Sequence, residues 1–396
     1  MWEGELAQEV WAYNESFPGP MIRANRGETA KITFKNNLPA HSIIHWHGLV
    51  VGTENDGQPQ HAVHTGGTYN YDFEINQRAA FNWYHPHPHM MTGEQVYNGL
   101  AGGFIVNDSE EASKNLPAGK YEVPLVIRDA SFSKSGALLY KPTSGGFLGQ
   151  VALVNGTKDP YLDVDKAVYR FRVLNGANSR VFGLELSNGA PMHLIGNDGG
   201  LLPASTDMAR IDMGNGERTD ILVDFRNYKP GTKIMLRDAR SGWDILEFRV
   251  GNTQEIPFYA SLPISSDIEK LNSPVVTRTF SFDGMTKING KVYEMDRIDW
   301  TVKRGQVERW VFKTNGNAPH PVHIHGASFQ IQSRSGGRNR VFAWEAGWKD
   351  TVLLEDRETV TVLIRFDNFV GRYVMHCHKL EHEDMGMMAN FEVVDQ

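Results

Sequence analysis

A single cysteine stands in 396 residues, so the chain can build neither an intramolecular disulfide framework nor a cysteine-rich zinc site. No run of about 18 apolar residues occurs, which excludes a membrane-spanning helix. Charge of one sign is also missing. The 40 Lys and Arg against 47 Asp and Glu leave a net −7, with no basic footprint for nucleic acid or an anionic bilayer. Helical 3.6-residue periodicity is weak everywhere. The opening residues Met1-Trp2-Glu3 carry no charged-then-apolar leader, as expected where a processed chain begins. What is present is an ordinary globular balance, 40% hydrophobic and 22% charged, over a length that holds two to four domains.

The pattern is β almost throughout. Alternating or β-branched runs at Lys31–Phe34, Tyr69–Ile75, Val123–Ile127, Tyr169–Val173, Asp220–Phe225, Arg309–Phe312, Thr359–Phe366 and Phe391–Val394 are split by Gly, Asn and Pro turns. An internal repeat organises them. The stretch Phe34 to Gly48, ending His45-Trp-His47-Gly, aligns without a gap on Phe312 to Gly326, ending His323-Ile-His325-Gly. Downstream of each copy, Trp83-Tyr-His85-Pro-His87 matches Val374-Met-His376-Cys377-His378. A degenerate third copy, Phe171 to Phe182, lacks the histidines. The expectation is an all-β chain of three related β-sandwich domains, residues 1–112, 113–265 and 266–396. Gly145-Gly146 is expected in a loop, and Asn252–Asn272 as a linker.

Ten of the 15 histidines fall in four clusters: His45/His47, His85/His87, His320/His323/His325 and His376/His378/His382. On a strand, residues i and i+2 share a face, so each His-x-His aims two imidazoles at one volume. Imidazoles alone do not name a metal, but Cys377 does. A thiolate, two imidazoles and a weak thioether form a blue-copper electron-transfer set, for which Cys377, His382, Met387 and His320 are the candidates. His320 is chosen because it breaks the i, i+2 pattern of its neighbours. Eight imidazoles remain, half from each end of the chain, which is what three further coppers need at an interface of domains 1 and 3. In the repeat, Ser42 (or nearby His41) and Pro86 stand where domain 3 has His320 and Cys377, and since Pro86 cannot bind a metal, domain 1 is expected to have no blue site. Domain 2 offers no ligand and is expected to act as a spacer. His41, His61, His64 and His193 read as surface or satisfied core residues, and His89 as a hydrogen-bonding neighbour of the His85/His87 face.

These four motifs, with His376-Cys377-His378-Lys-Leu-Glu-His382-Glu-Asp-Met-Gly-Met387 the most specific, resemble the copper-binding motifs of the three-domain multicopper oxidases, in the flavour of bacterial laccases and the copper-efflux oxidase. The resemblance implies three tandem cupredoxin-like Greek-key sandwiches and four copper ions. Type 1 copper would lie on His320, Cys377, His382 and Met387, and type 2 on His45 and His323. The two type 3 ions would take His47, His85, His87, His325, His376 and His378. It also implies proton-supplying carboxylates at Asp56, eleven residues after His45, and Glu383, directly after His382. The implied reaction is one-electron oxidation of phenols, aromatic amines or low-valent metal ions, coupled to reduction of O2 to water. A Cu(I) or Fe(II) metallo-oxidase and a bilirubin-oxidase-like activity are the alternatives. A monomer with no nucleic-acid or membrane partner, periplasmic or secreted, is expected. The copper-efflux oxidases carry a methionine-rich insert over the type 1 site. Here residues 255–300 hold only Met285 and Met295, so the type 1 edge is expected to lie open to organic reductants.

Overall fold

The computed structural model describes residues 10–253, 264–316 and 319–395. Strands make up 47% of it and helices 6%, so the all-β expectation holds. Each strand run read from the sequence lies in an observed strand or ends one residue beyond it: Lys31–Phe34 lies within Thr29–Lys35, and Thr359–Phe366 corresponds to Thr359–Arg365.

Six sheets form three tandem cupredoxin-like sandwiches. In the first, the order Gly19–Asn25, Gly102–Asn107, Ala80–Pro86, Ile44–His47 makes a four-stranded sheet over the pair Thr29–Lys35 and Thr68–Glu74. Trp46, Tyr71, Phe73 and Phe104 fill the space between the two sheets. The third sandwich repeats this order with Ile298–Lys303, Met388–Val394, Gly371–Cys377, His320–Ile324 and a fifth strand, Thr351–Leu354. In both copies the outer strand runs parallel to the last one, the strand exchange of a Greek key rather than a simple meander. The middle sandwich packs a seven-stranded sheet on a five-stranded one around Phe171, Phe182, Phe225 and Phe248.

The repeat is visible in register. His45 sits opposite His85 and Ile44 opposite Pro86, while His323 sits opposite His376 and Val322 opposite Cys377. Pro86 and Cys377 therefore hold matching places, as the gapless alignment implies.

The three sandwiches close on one another. Phe81, Trp83 and Ile105 share a small apolar core with Val126 and Leu174 of the middle unit. The Tyr373 hydroxyl donates to the Val51 carbonyl at 2.8 Å, joining third to first. Asn197 donates to the Trp344 carbonyl at 3.0 Å, joining middle to third. After the first sandwich, Asp108 caps the short helix Ser109–Ala112 through the Glu111 amide. Glu111 in turn pairs with buried Arg170 and Arg172 on the middle sheet. Removing one partner from such a buried pair costs about 3–5 kcal/mol, so this connector is fixed rather than loose. Gly145-Gly146 lies in a turn, as expected; of the expected linker, residues 254–263 fall outside the described residues.

Candidate metal centre

Where the first and third sandwiches meet, eight imidazoles are buried together: His45, His47, His85, His87, His323, His325, His376 and His378. His45 and His47 lie on the strand Ile44–His47. In the other pairs the strand ends before the second histidine, at Pro86, Ile324 and Cys377, so His87, His325 and His378 reach the cluster from the turn that follows. The repeats meet about a local two-fold. His45 stacks on His325 at 3.7 Å and 19°, and His47 on His323 at 3.7 Å and 9°.

The rings point acceptors at one another. His45 Nδ1 donates to the Asp56 carbonyl at 2.7 Å and His323 Nδ1 to the Asp350 carbonyl at 2.9 Å. A neutral imidazole has one proton, so both Nε2 atoms present lone pairs, and they face each other at 3.3 Å. His325 Nδ1 binds Asp56 Oδ2 at 2.8 Å, and His376 Nδ1 lies 3.1 Å from Glu383 Oε2. Their Nε2 atoms then meet at 3.2 Å, with His87 Nε2 3.4 Å from His376 Nε2. His85 donates Nδ1 to the Pro86 carbonyl at 2.8 Å and leaves Nε2 without a partner among the described residues. His47 is reversed: Nε2 faces Asp350 Oδ1 at 3.0 Å and Thr351 Oγ1 at 3.1 Å, and Nδ1 has no partner among the described residues. Neither nitrogen of His378 has one among the described residues.

Burial disfavours the charged form of seven of these rings. It pushes His85 down to about 3 and His87 to about 4, and carries His45, His47, His323, His325 and His378 well below the ordinary imidazole range. Converging lone pairs on neutral, dry imidazoles repel unless a cation lies among them, so the residues present fit a multinuclear metal cluster.

A second donor set lies inside the third sandwich. Cys377 Sγ is 3.5 Å from His320 Nδ1 and 3.7 Å from His382 Nδ1, and the two Nδ1 atoms are 3.2 Å apart. Met387 is buried in the same apolar core and accepts the Cys377 amide at its carbonyl, 3.1 Å away. Burial pushes the Cys377 thiol up to about 12, so a thiolate forms there only if a cation displaces the proton. One thiol with two imidazoles in an apolar shell suits copper.

The structure thus gathers all twelve expected ligands into two buried places. It also puts both expected carboxylates beside them. Asp56 carries His325 on Oδ2 and accepts Gln58 Nε2 at 2.6 Å, while Oδ1 has no hydrogen-bond partner among the described residues. Burial pushes its carboxyl well above the ordinary range, against the hydrogen bond from Gln58. Glu383 is the opposite case. Burial alone would raise it, but its pairing with His376 and His87, including the contact from His376 Nδ1 at 3.1 Å, more than offsets burial and holds it low. The histidines left unassigned lie outside both sets: His193 binds Asp207 at 2.7 Å, His61 stacks on Tyr69, and His89 lies against Tyr293.

One expectation is corrected. The type 1 edge is closed: His382 is 0% exposed. A turn of the middle sandwich covers it. Ser144 offers its backbone to His382, Lys379 Nζ donates to the Gly145 carbonyl at 3.2 Å, and Tyr140 binds Glu381 at 3.0 Å. A missing insert in the third sandwich does not open the site, because the cover comes from a different unit.

Sequence reasoning also missed a buried charged group beside the cluster: Arg218, Asp198 and Glu217 of the middle sandwich with Lys349 and Asp350 of the third. Lys349-Asp350 precedes the strand Thr351–Leu354, and its contacts come from residues far away in the chain, so no spacing marks it.

Family models described as multicopper oxidase match residues 2–111 and residues 263–396. The chain is 35% identical over 395 residues to the multicopper oxidase mco of Staphylococcus haemolyticus, covering 97% of this chain and 83% of that protein. It is 31% identical to the laccase of Bacillus subtilis, covering 98% and 90% respectively. A laccase from Pediococcus acidilactici superposes with a TM-score of 0.92 at 36% identity, over 98% of this chain and 86% of that one. Matched at both ends and along nearly its whole length, the chain belongs to the multicopper oxidases.

Proposed function

We propose a laccase-like oxidase in which one copper lies on His320, Cys377, His382 and Met387 and three lie among the eight interface imidazoles. His45 and His323 would hold the type 2 ion, and His47, His85, His87, His325, His376 and His378 the type 3 pair. When bound, these four coppers supply one-electron oxidation of a donor and four-electron reduction of O2 to two waters. The protein supplies position, dryness and protons.

The observation that carries this reading is the set of mutually facing imidazole acceptors, joined through the backbone to the lone thiol. Cys377 lies between His376 and His378, so one ligand set is covalently continuous with the other. Bonds from Asp56, Asp350 and Pro86 fix the tautomers and leave one nitrogen of each of those rings for metal. The sandwich interface excludes bulk water from all eight rings. Asp56, its carboxyl raised by burial, is suited to keep a proton, while Glu383, held low beside His376 and His87, is suited to take protons inward. Two carboxylates with opposite environments divide the work of holding and passing protons.

A second reading, a metallo-oxidase acting on Cu(I) or Fe(II), is favoured by one observation: the covered His382 suits small donors better than bulky ones. O2 consumption by the copper-loaded protein with a substituted phenol and with Cu(I) decides between them. Faster turnover per mole on the phenol supports the laccase reading, and turnover confined to Cu(I) overturns it. We place the domain limits near residues 112 and 265, and take the chain to act as an exported monomer, since one chain supplies both sides of the cluster.

A further inference from the structure

We infer that Arg218, on the sandwich that carries no copper ligand, fixes which ring nitrogen His47 offers to the trinuclear site by clamping Asp350 against that ring. This rests on the eight imidazoles being that site.

Arg218 is a joint between all three sandwiches. Its Nε donates to the Phe81 carbonyl of the first at 2.9 Å. Nη1 donates to the Gly216 carbonyl at 2.9 Å and to Asp350 Oδ1 at 2.7 Å. Nη2 donates to Asp350 Oδ2 and, at 3.3 Å, to the Asp198 carbonyl. All five guanidinium N–H groups are used, and both oxygens of Asp350 are held in one plane.

Asp350 in turn orients two rings of the cluster. Its Oδ1, shared with Thr351 Oγ1 at 2.8 Å, accepts His47 Nε2 at 3.0 Å, and its backbone carbonyl accepts His323 Nδ1 at 2.9 Å. Asp350 Oδ1 already receives Arg218 Nη1 and Thr351 Oγ1, and Thr351 Oγ1, 3.1 Å from His47 Nε2, has spent its proton there, so both oxygens facing Nε2 accept; the ring proton then lies on Nε2, and Nδ1 becomes the metal-facing atom. His47 and His323 are the rings that stack at 3.7 Å, so a rotation of Asp350 disturbs both.

The local backbone is shaped for this contact. Gly48 has φ +94°, and a Cβ there would lie 2.6 Å from Arg218 Nη2. Gly216, in the turn that leads into Arg218, has φ +81°. A Cβ there would lie 3.0 Å from His47 Cε1 and 3.1 Å from His378 Cδ2. The middle sandwich therefore presses backbone and guanidinium against the cluster and is more than a spacer.

A lysine at 218 would keep the charge but not the fork, leaving Asp350 free to turn off His47. An asparagine at 350 could present an amide N–H to Nε2 and move the ring proton to Nδ1, where it blocks metal. Copper-loaded wild type, Arg218→Lys, Asp350→Asn and a control, Arg334→Lys, are titrated with a chelator. The type 1 blue band, the near-ultraviolet type 3 band and the type 2 EPR signal are followed separately. Arg334 is also buried but, among the described residues, pairs with Glu345, Glu358 and the Leu353 carbonyl, none of them beside the cluster.

The expected result is that Arg218→Lys and Asp350→Asn keep the blue band and release type 2 and type 3 copper at ~10- to 100-fold lower chelator. Arg334→Lys should lower the melting temperature and leave all three signals in their wild-type proportions. The inference is overturned if both cluster variants retain copper as wild type does. It is overturned equally if the blue and cluster signals fall together with the melting temperature, as plain destabilisation would give. A wild-type protein that takes up no type 2 or type 3 copper sinks the oxidase reading itself, which is a different failure.

Discussion

Acidification should destabilise the copper-free protein through its cluster imidazoles, and His85 and His87 allow the size to be worked out. In the unfolded chain each ring takes a proton below about 6.5. In the folded protein burial holds them neutral down to about 3 for His85 and about 4 for His87. Below 6.5 the unfolded state therefore binds more protons, so stability falls as pH falls, by up to ~1.4 kcal/mol per unit per ring, until the folded rings titrate. From pH 7.5 to 5.0 the loss is about 2 kcal/mol per ring, or ~4 kcal/mol for the pair. That is a large share of the ~5–15 kcal/mol that holds a domain folded. Asp56 and Asp384, whose carboxyls burial raises, act in the opposite sense, since the folded state then binds the extra proton and gains stability as pH falls. The two effects are separated by comparing wild type with the double variant His85→Gln/His87→Gln. Urea unfolding of both in chelator, at pH 7.5 and 5.0, should show wild type losing about 4 kcal/mol more than the variant over that interval. Equal losses would mean that the rings are not buried neutral in the copper-free protein, and the reasoning from burial to metal readiness would fail.

Other perturbations give distinct readouts. Asp56→Asn removes a carboxyl that burial favours in its protonated form, so reoxidation of the fully reduced enzyme by O2 should slow ~10²-fold or more while anaerobic reduction of the blue site by donor keeps its rate; stopped-flow mixing separates the two. Met387→Leu replaces the thioether in the core that holds Cys377, and redox titration of the blue band should give a higher potential; an unchanged or lower value contradicts the axial assignment. Replacing Thr143–Phe147 with a short glycine link uncovers His382, so kcat/KM for a bulky phenol should rise relative to that for ferrocyanide. A uniform change in both would show that the turn does not select donors.

Much of this was legible in the sequence, for physical reasons that can be named. Strands such as Thr29–Lys35 and Val307–Lys313 were readable because alternate residues face the core and Gly or Asn turns bound them. The cluster was readable because a repeat brings equivalent strands to equivalent places: His45 opposite His85, His323 opposite His376. The unread features depend on contacts between units. Arg218 meets Asp350 across 132 residues, and neither lies in a periodic or spaced motif. The turn over His382 comes from an irregular loop around Gly145-Gly146 with no ligand-type side chain, so the short third-domain insert suggested an open edge that the middle sandwich in fact closes. The protonated nitrogen of each ring is set by neighbours such as the Pro86 carbonyl and Asp350, which only the folded arrangement brings within reach.

Copper quantified per chain, with absorption and EPR spectra on the same sample, tests the central claim most directly. Two buried ligand sets predict about four coppers per chain, a strong blue band near ~600 nm from the Cys377 site, and overlapping type 1 and type 2 EPR signals. A blue protein with about one copper would contradict it, since the eight imidazoles between the first and third sandwiches would then hold no metal.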